Sequence, residues 1–306
     1  MTSQTDPSAT RPLVSVIIPT QNRSRLLKRS VLSVFGQTYS NVEVIVVDDK
    51  SDEDIGAELA TLKAAVKPLR IVRNVRAVGA QRSRLIGAQT ATGSVVALLD
   101  SDDWWAPTKV EVQVAALEAR PGALVSCRST LATNGKVVPV SPIAERERVE
   151  DFLYVRGGFL QSSTFLASRE LMIEGLANNL QGCHDDPCLA MYLWGRGVPI
   201  VQLKQALVHY DDFPREDRVS TSIERVQRRL SWWKAASAGW SPEAKAGYLL
   251  RETVRGYLKI GNRTDAIKTL VSSYHPRLEK ILYIKTVGAI AFGGSPRRFF
   301  TRAKAV

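Results

Sequence analysis

Residues 13–47 read LVSVIIPTQNRSRLLKRSVLSVFGQTYSNVEVIVV. The two ends of this stretch, LVSVII (13–18) and VEVIVV (42–47), are short, β-branched and almost wholly apolar. Such runs suit parallel strands covered on both faces, because a strand with one wet face alternates instead. Between them Leu27, Val31, Leu32 and Phe35 recur at helical spacing, with Asn22 placed to cap the helix and Gly36 to end it. The stretch is a strand–helix–strand unit. Further strands are expected at Leu69–Arg73, Val95–Leu99 and Leu124–Cys127, with helices near Glu53–Ala65, Ala80–Ala91 and Pro107–Ala119. This alternation predicts an α/β fold, a right-handed βαβ sheet over residues 1–130 whose ligands bind beyond the carboxyl ends of the strands.

Past residue 130 the alternation weakens. Residues 131–220 are expected to complete the same domain with acceptor-side loops, including a turn at Gly157-Gly158, and residues 221–306 to form a helical extension. The chain has 306 residues, 44% hydrophobic and 24% charged, which excludes disorder. The longest stretch without a charge, Leu85–Leu99, carries Gln, Thr, Ser and two Gly, whereas a membrane-spanning helix needs about 18–20 apolar residues. Met1–Pro12 is polar and has no apolar run, so no secretory signal is expected. Cys127, Cys183 and Cys188 cannot all pair and show no metal-ligand spacing with the histidines, which points to a reducing cytoplasm.

The net charge of +12 is unevenly placed: residues 251–306 hold 12 Lys and Arg against 3 Asp and Glu. A nearly neutral body with a basic tail suggests surface docking rather than nucleic-acid binding. The segment from Arg277 to Lys304 interleaves Leu278, Ile281, Leu282, Ile284, Phe292, Phe299 and Phe300 with basic residues. It reads either as a helix lying on an anionic membrane or as a terminal helix packed on its own domain.

Two expected strands end in acid. The first gives Asp48-Asp49-Lys50-Ser51-Asp52, and the second Asp100-Ser101-Asp102-Asp103-Trp104-Trp105. Three carboxylates within four residues repel one another unless a cation sits among them. A divalent, oxygen-preferring metal shared with a phosphate-bearing substrate is the usual answer. A helix-capping loop explains one Asp but not three. No G-x-G-x-x-G follows the first strand, which argues against a dinucleotide dehydrogenase.

Taken in order, VSVIIPTQNR, SVLSVFGQTYSNVEVIVVDDKSDED and GAQRSRLIGAQTATGSVVALLDSDDWWAPTKVEVQ resemble the family 2 nucleotide-sugar glycosyltransferases of the GT-A fold. The resemblance covers residues 12–115 and returns at Gly182–Tyr192. It implies that Pro19, Thr20 and Asn22 surround the nucleoside and that Asp49 reads the base, usually uracil. Arg84 would face uridine and diphosphate, although Ser83 and Leu85 replace the family's Ala and Asn around it. Lys50 replaces a usual glycine, which removes the residue that most readily takes positive φ. Asp102 would touch ribose or sugar, and Asp103, with Asp102 beside it, would hold Mn or Mg bridging the two phosphates. Trp105 either stacks on sugar or packs at a helix start.

In Gly182-Cys183-His184-Asp185-Asp186, Asp185 takes the place of the family's Glu, and Asp186 is the implied catalytic base or, more plainly, a helix cap. His209 or Asp211 would lie near the metal and Arg218 near phosphate, unless this stretch is a charged lid. One base, one metal and no second carboxylate placed as a nucleophile imply a single displacement that inverts the anomeric centre. The resemblance further implies a UDP-sugar donor, with glucose the commonest, and a lipid-linked saccharide acceptor in bacterial exopolysaccharide or lipopolysaccharide synthesis. The expected location is cytoplasmic, peripheral to the inner membrane face. A non-catalytic membrane- or nucleic-acid-binding protein would place basic residues, not acid, at the strand ends.

Overall fold

The computed structural model describes residues 11–63, 68–179, 186–213, 223–278 and 280–292. Its strands are β1 (Val14–Thr20), β2 (Val42–Asp48), β3 (Leu69–Arg73), β4 (Val95–Leu98), β5 (Trp104–Trp105), β6 (Leu124–Leu131), β7 (Val137–Val138), β8 (Leu166–Ser168) and β9 (Ile200–Tyr210). They form one sheet in the order β3-β2-β1-β4-β8-β6-β9-β5, with β7 on β6. Every residue of β1, β2 and β4 is buried, as their unbroken apolar runs require. The helix Ser24–Phe35 lays Leu27, Val31 and Val34 into that core and ends at Gly36.

Register decides where the chemistry emerges. β1 and β2 run parallel from Val14↔Val42 to Thr20↔Asp48, so they end level. β4 runs parallel on the other side of β1, with Ile17 opposite Leu98. The loops that carry Asn22, Asp49 and Asp100–Asp103 therefore leave one edge of the sheet together, where parallel sheets bind ligands.

Local chemistry departs from expectation at several points. Asn22 is not the cap of the first helix. It sits at φ 52, its Oδ1 accepts from Asp52 N at 2.7 Å, and its Nδ2 donates to Asp52 Oδ2 at 3.2 Å. The first helical turn is served instead by Glu53, whose carboxylate accepts from Ser24 N at 2.9 Å. The helix expected over Glu53–Ala65 breaks into short turns at Ile55–Glu58, capped by Asp54, and Ala60–Lys63. Lys50 takes positive φ, at 60°, without the help of a missing Cβ. Ser51 N, donating to Asp48 Oδ1 at 2.8 Å, closes that turn. Trp104 and Trp105 form a strand rather than a helix start, pairing antiparallel with His209 and Val208.

The chain divides into two compact units. One holds the described residues up to Glu145 together with Leu160–Asp212, and the other holds Arg146–Phe159 and the described residues from Phe213 onward. Residues 146–159, expected from sequence to complete the first domain with acceptor-side loops, group instead with the helical unit. The reason is aromatic: Tyr154 stacks on Trp240 at 5.4 Å and meets Tyr248 edge-on at 5.0 Å, while Arg251 Nε donates to Tyr154 O at 3.0 Å. Ala246, Leu250, Val254, Ala266, Leu278 and Leu282 form this unit's core. No helix among the described residues is long and apolar enough to cross a membrane. Cys127 is a buried free thiol, whereas Cys188 is disulfide-bonded, against the reduced thiols expected from the sequence.

Candidate active site

The loop after β2 holds Asp49 in a closed set of donors. Its Oδ1 accepts from Asn74 Nδ2 and Val78 N, both at 2.8 Å, and its Oδ2 accepts from Gly79 N at 2.7 Å. Gly79 sits at φ 86, a conformation that glycine adopts without strain. Asp49 N in turn donates to Thr20 O at 2.8 Å, tying the β1 and β2 loops together. Thr20 Oγ1 is buried and finds no partner among the described residues. A hydroxyl left this way at a strand end is available to a ligand.

The loop after β4 carries the acid. Among the described residues, Asp100, Asp102 and Asp103 bring carboxylate oxygens within 4.8 Å of one another. Asp103 is fully enclosed, its Oδ2 accepting from Ser163 Oγ at 2.6 Å and its Oδ1 from Asp211 N at 2.9 Å. Each of those oxygens keeps a second lone pair for a cation. Asp102 stands further out and accepts from Arg23 Nη1 at 3.1 Å. Asp100 pairs with Arg84, whose Nη1 lies 3.6 Å from Asp186 Oδ1. Asp186, at the start of the helix Asp186–Gly195, also accepts from Ser162 N at 3.0 Å, Ser162 Oγ at 2.5 Å and Gln81 Nε2 at 3.2 Å. Arg84 Nε is buried and finds no partner among the described residues, one more donor unspent.

This crowding has an electrostatic signature. Burial, reinforced by the charges of Asp102 and Asp100, pushes the Asp103 carboxyl well above the ordinary carboxylate range. Burial, with the charges of Asp186 and Asp102 adding to it, raises Asp100 to about 6 even though Arg84 opposes the shift. Hard oxygen donors at this spacing, carrying negative charge that Arg23 and Arg84 neutralise only in part, fit a divalent cation. The folded chain holds these protons more tightly than the unfolded one. The two carboxyls therefore favour folding at low pH, and that contribution is lost as pH rises from 3.8 through about 6 for Asp100. A cation bound there would replace the protons and reverse the trend. The rise in Tm on adding MnCl2 should be larger at about pH 7.5 than at about pH 5, and equal shifts at both would remove the acidic group as the binding locus.

Residues 15–175 match the family model described as glycosyl transferase family 2. The chain belongs to this family. Among its relatives, the amylovoran biosynthesis glycosyltransferase AmsB of Erwinia amylovora is 27% identical over 206 residues, 64% of this chain and 68% of the relative. An uncharacterized glycosyltransferase of Haemophilus influenzae is 24% identical across 87% of this chain and 97% of its own. The Escherichia coli UDP-Glc:alpha-D-GlcNAc-diphosphoundecaprenol beta-1,3-glucosyltransferase WfgD is 34% identical over 34% of this chain and 41% of its own. In fold, the chain resembles the mannosyltransferase PcManGT of Pyrobaculum calidifontis, solved with GDP-Man and Mn2+, at a TM-score of 0.61 and 21% identity, covering 96% of this chain and 84% of that one. It also resembles S. aureus TarS 1-349 in complex with UDP-GlcNAc, at a TM-score of 0.58 and 16% identity, covering 94% of this chain and 89% of that one. The architecture is GT-A, with a helical carboxyl-terminal region.

In this family 2 glycosyltransferase, the residues singled out from sequence fall into three groups. At the carboxyl ends of β1, β2 and β4, Thr20 and Asp49 are tied to each other, and Asp100, Asp102 and Asp103 are grouped with Arg84 and Asp186 by the contacts above. Pro19 lies inside β1 opposite Val47, and Asn22 serves to bind Asp52. Trp105 is buried, its ring against Lys109 Nζ at 3.7 Å and its Nε1 donating to Ser163 O at 2.9 Å, so it packs rather than faces a sugar. His209 stacks on Trp104 at 5.1 Å and is not among the grouped ligands; burial lowers its pKa. Asp211 reaches Asp103 through its backbone N–H, while its carboxylate pairs with Arg29 at 2.9 Å. Asp185 and Arg218 lie outside the described residues.

Several participants escaped sequence reading. Arg23 and Arg29 look like solvated residues of a first helix, yet Arg23 meets Asp102, and Arg29 meets both Asp102 O and Asp211. Asn74, Gln81, Ser162 and Ser163 carry no signal beyond being polar. Asn74, four residues before Val78 in the loop that folds onto Asp49, was the most recoverable of them.

Proposed function

We propose that this enzyme is an inverting, metal-dependent glycosyltransferase that moves a sugar, best read as glucose, from a UDP-sugar to a lipid-linked saccharide acceptor in bacterial surface-glycan synthesis. The observation that carries this reading is the convergence of Asp100, Asp102 and Asp103 with Arg84 and Asp186 at one sheet edge. In this reading Asp49 and Thr20 hold the nucleoside, and Arg84 meets phosphate oxygens through the donor it has left over. Asp102 and Asp103 supply oxygen ligands to Mn or Mg. The ion, when bound, neutralises charge developing on the departing diphosphate. Asp186 accepts the proton of the attacking acceptor hydroxyl, and a single carboxylate so placed supports one displacement with inversion. The donor and acceptor follow the relatives: WfgD and WfaP are named for UDP-Glc, a diphosphoundecaprenol-linked acceptor and a β-1,3 product.

Calorimetric titration with UDP, with and without MnCl2, tests the class. UDP binding that strengthens at least about tenfold with Mn2+ is expected, and a panel of UDP- and dTDP-sugars then identifies the donor. Absence of nucleotide binding under both conditions would overturn the donor reading.

A lipid-linked acceptor also gives a role to the helical unit. Leu278 and Leu282 are buried in its core, so the basic terminal segment packs with one face. Ile267 and Val271 on the helix Arg263–Ser272, Tyr274, and Ile284 and Val287 on the helix Lys280–Phe292 are exposed. The sequence from 251 to 306 carries an excess of nine positive charges, and a segment that joins such charge to these exposed apolar residues suits an anionic membrane, each basic residue near it contributing about 1 kcal/mol. Cutting the chain at 276 would remove core residues, so the cleaner test is Ile284→Asp with Val287→Asp. The double variant should co-sediment with phosphatidylglycerol vesicles several-fold less; undiminished binding would exclude this surface.

A further inference from the structure

Two adjacent serines connect the acidic group to the base. Ser162 and Ser163 open the short 3-10 turn Ser162–Thr164, and both are buried. Ser163 Oγ donates to Asp103 Oδ2 at 2.6 Å and accepts from Asp100 N at 3.0 Å, so it fixes two members of the acidic group at once. Ser162 turns the other way: its N–H and hydroxyl reach the two oxygens of Asp186 at 3.0 and 2.5 Å. One peptide unit therefore separates the group that holds Asp103 from the group that holds Asp186.

The turn itself has little freedom. Trp105 Nε1 donates to Ser163 O at 2.9 Å, and Gln113 Nε2 to Thr164 O at 2.7 Å. Gln113 Oε1 in turn accepts from Lys109 Nζ at 2.6 Å, and the same buried ammonium rests on the Trp105 ring. Thr164 Oγ1 shares a hydrogen bond with Ser126 Oγ at 2.8 Å. All of these partners sit within the sheet unit, on β6 or on the helix Lys109–Ala119 and the strand before it.

We infer that Ser162 and Ser163 are positioning residues that set the distance between the metal-holding carboxylates and the base. The inference rests on Asp186 being that base. A hydroxyl acceptor must be deprotonated while its oxygen attacks a carbon whose leaving phosphate would be held by the cation that the acidic group carries. Both ends must then be fixed within a fraction of an ångström, and a displacement of about 1 Å costs on the order of 100-fold in rate. Ser162 governs the attacking end, Ser163 the leaving end.

The test compares Ser162→Ala, Ser162→Thr, Ser163→Ala and Asp186→Asn. It reads UDP release from UDP-glucose with MnCl2, and the Kd for UDP with MnCl2 by calorimetry. Ser162→Ala should lower kcat by about 30- to 100-fold with the UDP Kd within about twofold, and Ser162→Thr, which keeps the hydroxyl, should recover most of the rate. Ser163→Ala should instead weaken metal-dependent UDP binding by about 10-fold or more, as loss of a ligand's supporting hydrogen bond does. Turnover unchanged in Ser162→Ala while Asp186→Asn is inactive would overturn the inference and leave the base assignment standing. Equal loss of UDP binding in Ser162→Ala and Ser163→Ala would overturn it as well, because the turn would then be a general scaffold. Retained turnover in Asp186→Asn would remove the base assignment and the inference with it.

Discussion

Asp186→Asn should abolish turnover, by about 1,000-fold or more, and leave the affinity for UDP with Mn2+ within about threefold of the parent. The substitution keeps the shape of the side chain. Its carbonyl oxygen still accepts from Ser162 Oγ and Gln81, while its NH2 replaces the oxygen that accepted from Ser162 N, a lost hydrogen bond that should lower Tm modestly without touching the donor site. What it loses is the ability to take a proton. Removing this charge beside Arg84 frees some of the guanidinium's positive potential, which favours diphosphate rather than opposing it. Loss of UDP binding in step with turnover would mean that Asp186 belongs to the donor site, and the division of roles would fail.

The second large effect falls on the acidic group. Asp102→Asn and Asp103→Asn should each reduce metal-dependent UDP binding by about 10- to 100-fold and eliminate the rise in Tm that Mn2+ produces. The two differ in how the metal-free protein responds. Asp102 is partly open and tied to Arg23, so its substitution should shift the metal-free Tm little. At Asp103 two effects oppose each other: an amide presents a donor to either Ser163 Oγ or Asp211 N, while removal of a charge relieves repulsion from Asp100 and Asp102. The two effects have opposite signs, so the metal-free Tm should again move modestly. Full retention of the Mn2+-dependent affinity in Asp102→Asn would exclude Asp102 from the ligand set.

The strands read most directly in the sequence are those where burial is continuous, although β3 was also placed at Leu69–Arg73 while none of its residues is fully buried. β1, β2 and β4 are covered on both faces, and coverage on both faces leaves an apolar run that needs no partner to be recognised. β8 has three residues, and β9 mixes buried, half-buried and exposed positions along eleven, so neither shows such a run. The acidic group was legible because three carboxylates so close together are costly without a purpose. Its supports were not. Ser162 and Ser163 resemble any loop serines, and the partner of Asn22 lies 30 positions away, whereas a cap would bond within its own turn. Arg23 and Arg29 fit the polar face of a helix so well that their long reach to Asp102 and Asp211 left no trace in the spacing.

The helical unit draws Arg146–Phe159 from the middle of the chain and the rest from its end. Tyr154 occupies a pocket built from Trp240, Tyr248 and Arg251, and Gly247 packs so closely on Tyr154 O that an added methyl would lie 2.2 Å from it. The unit is therefore not an appendage that recombination could exchange with a single crossover. A graft of this region between relatives that brings the terminal helices alone would pair them with a foreign 146–159 segment, whose aromatic shape would have to match by chance. Diversification of this part of the enzyme is then expected to proceed by co-variation of two distant stretches of the gene, residue against residue, rather than by shuffling of modules.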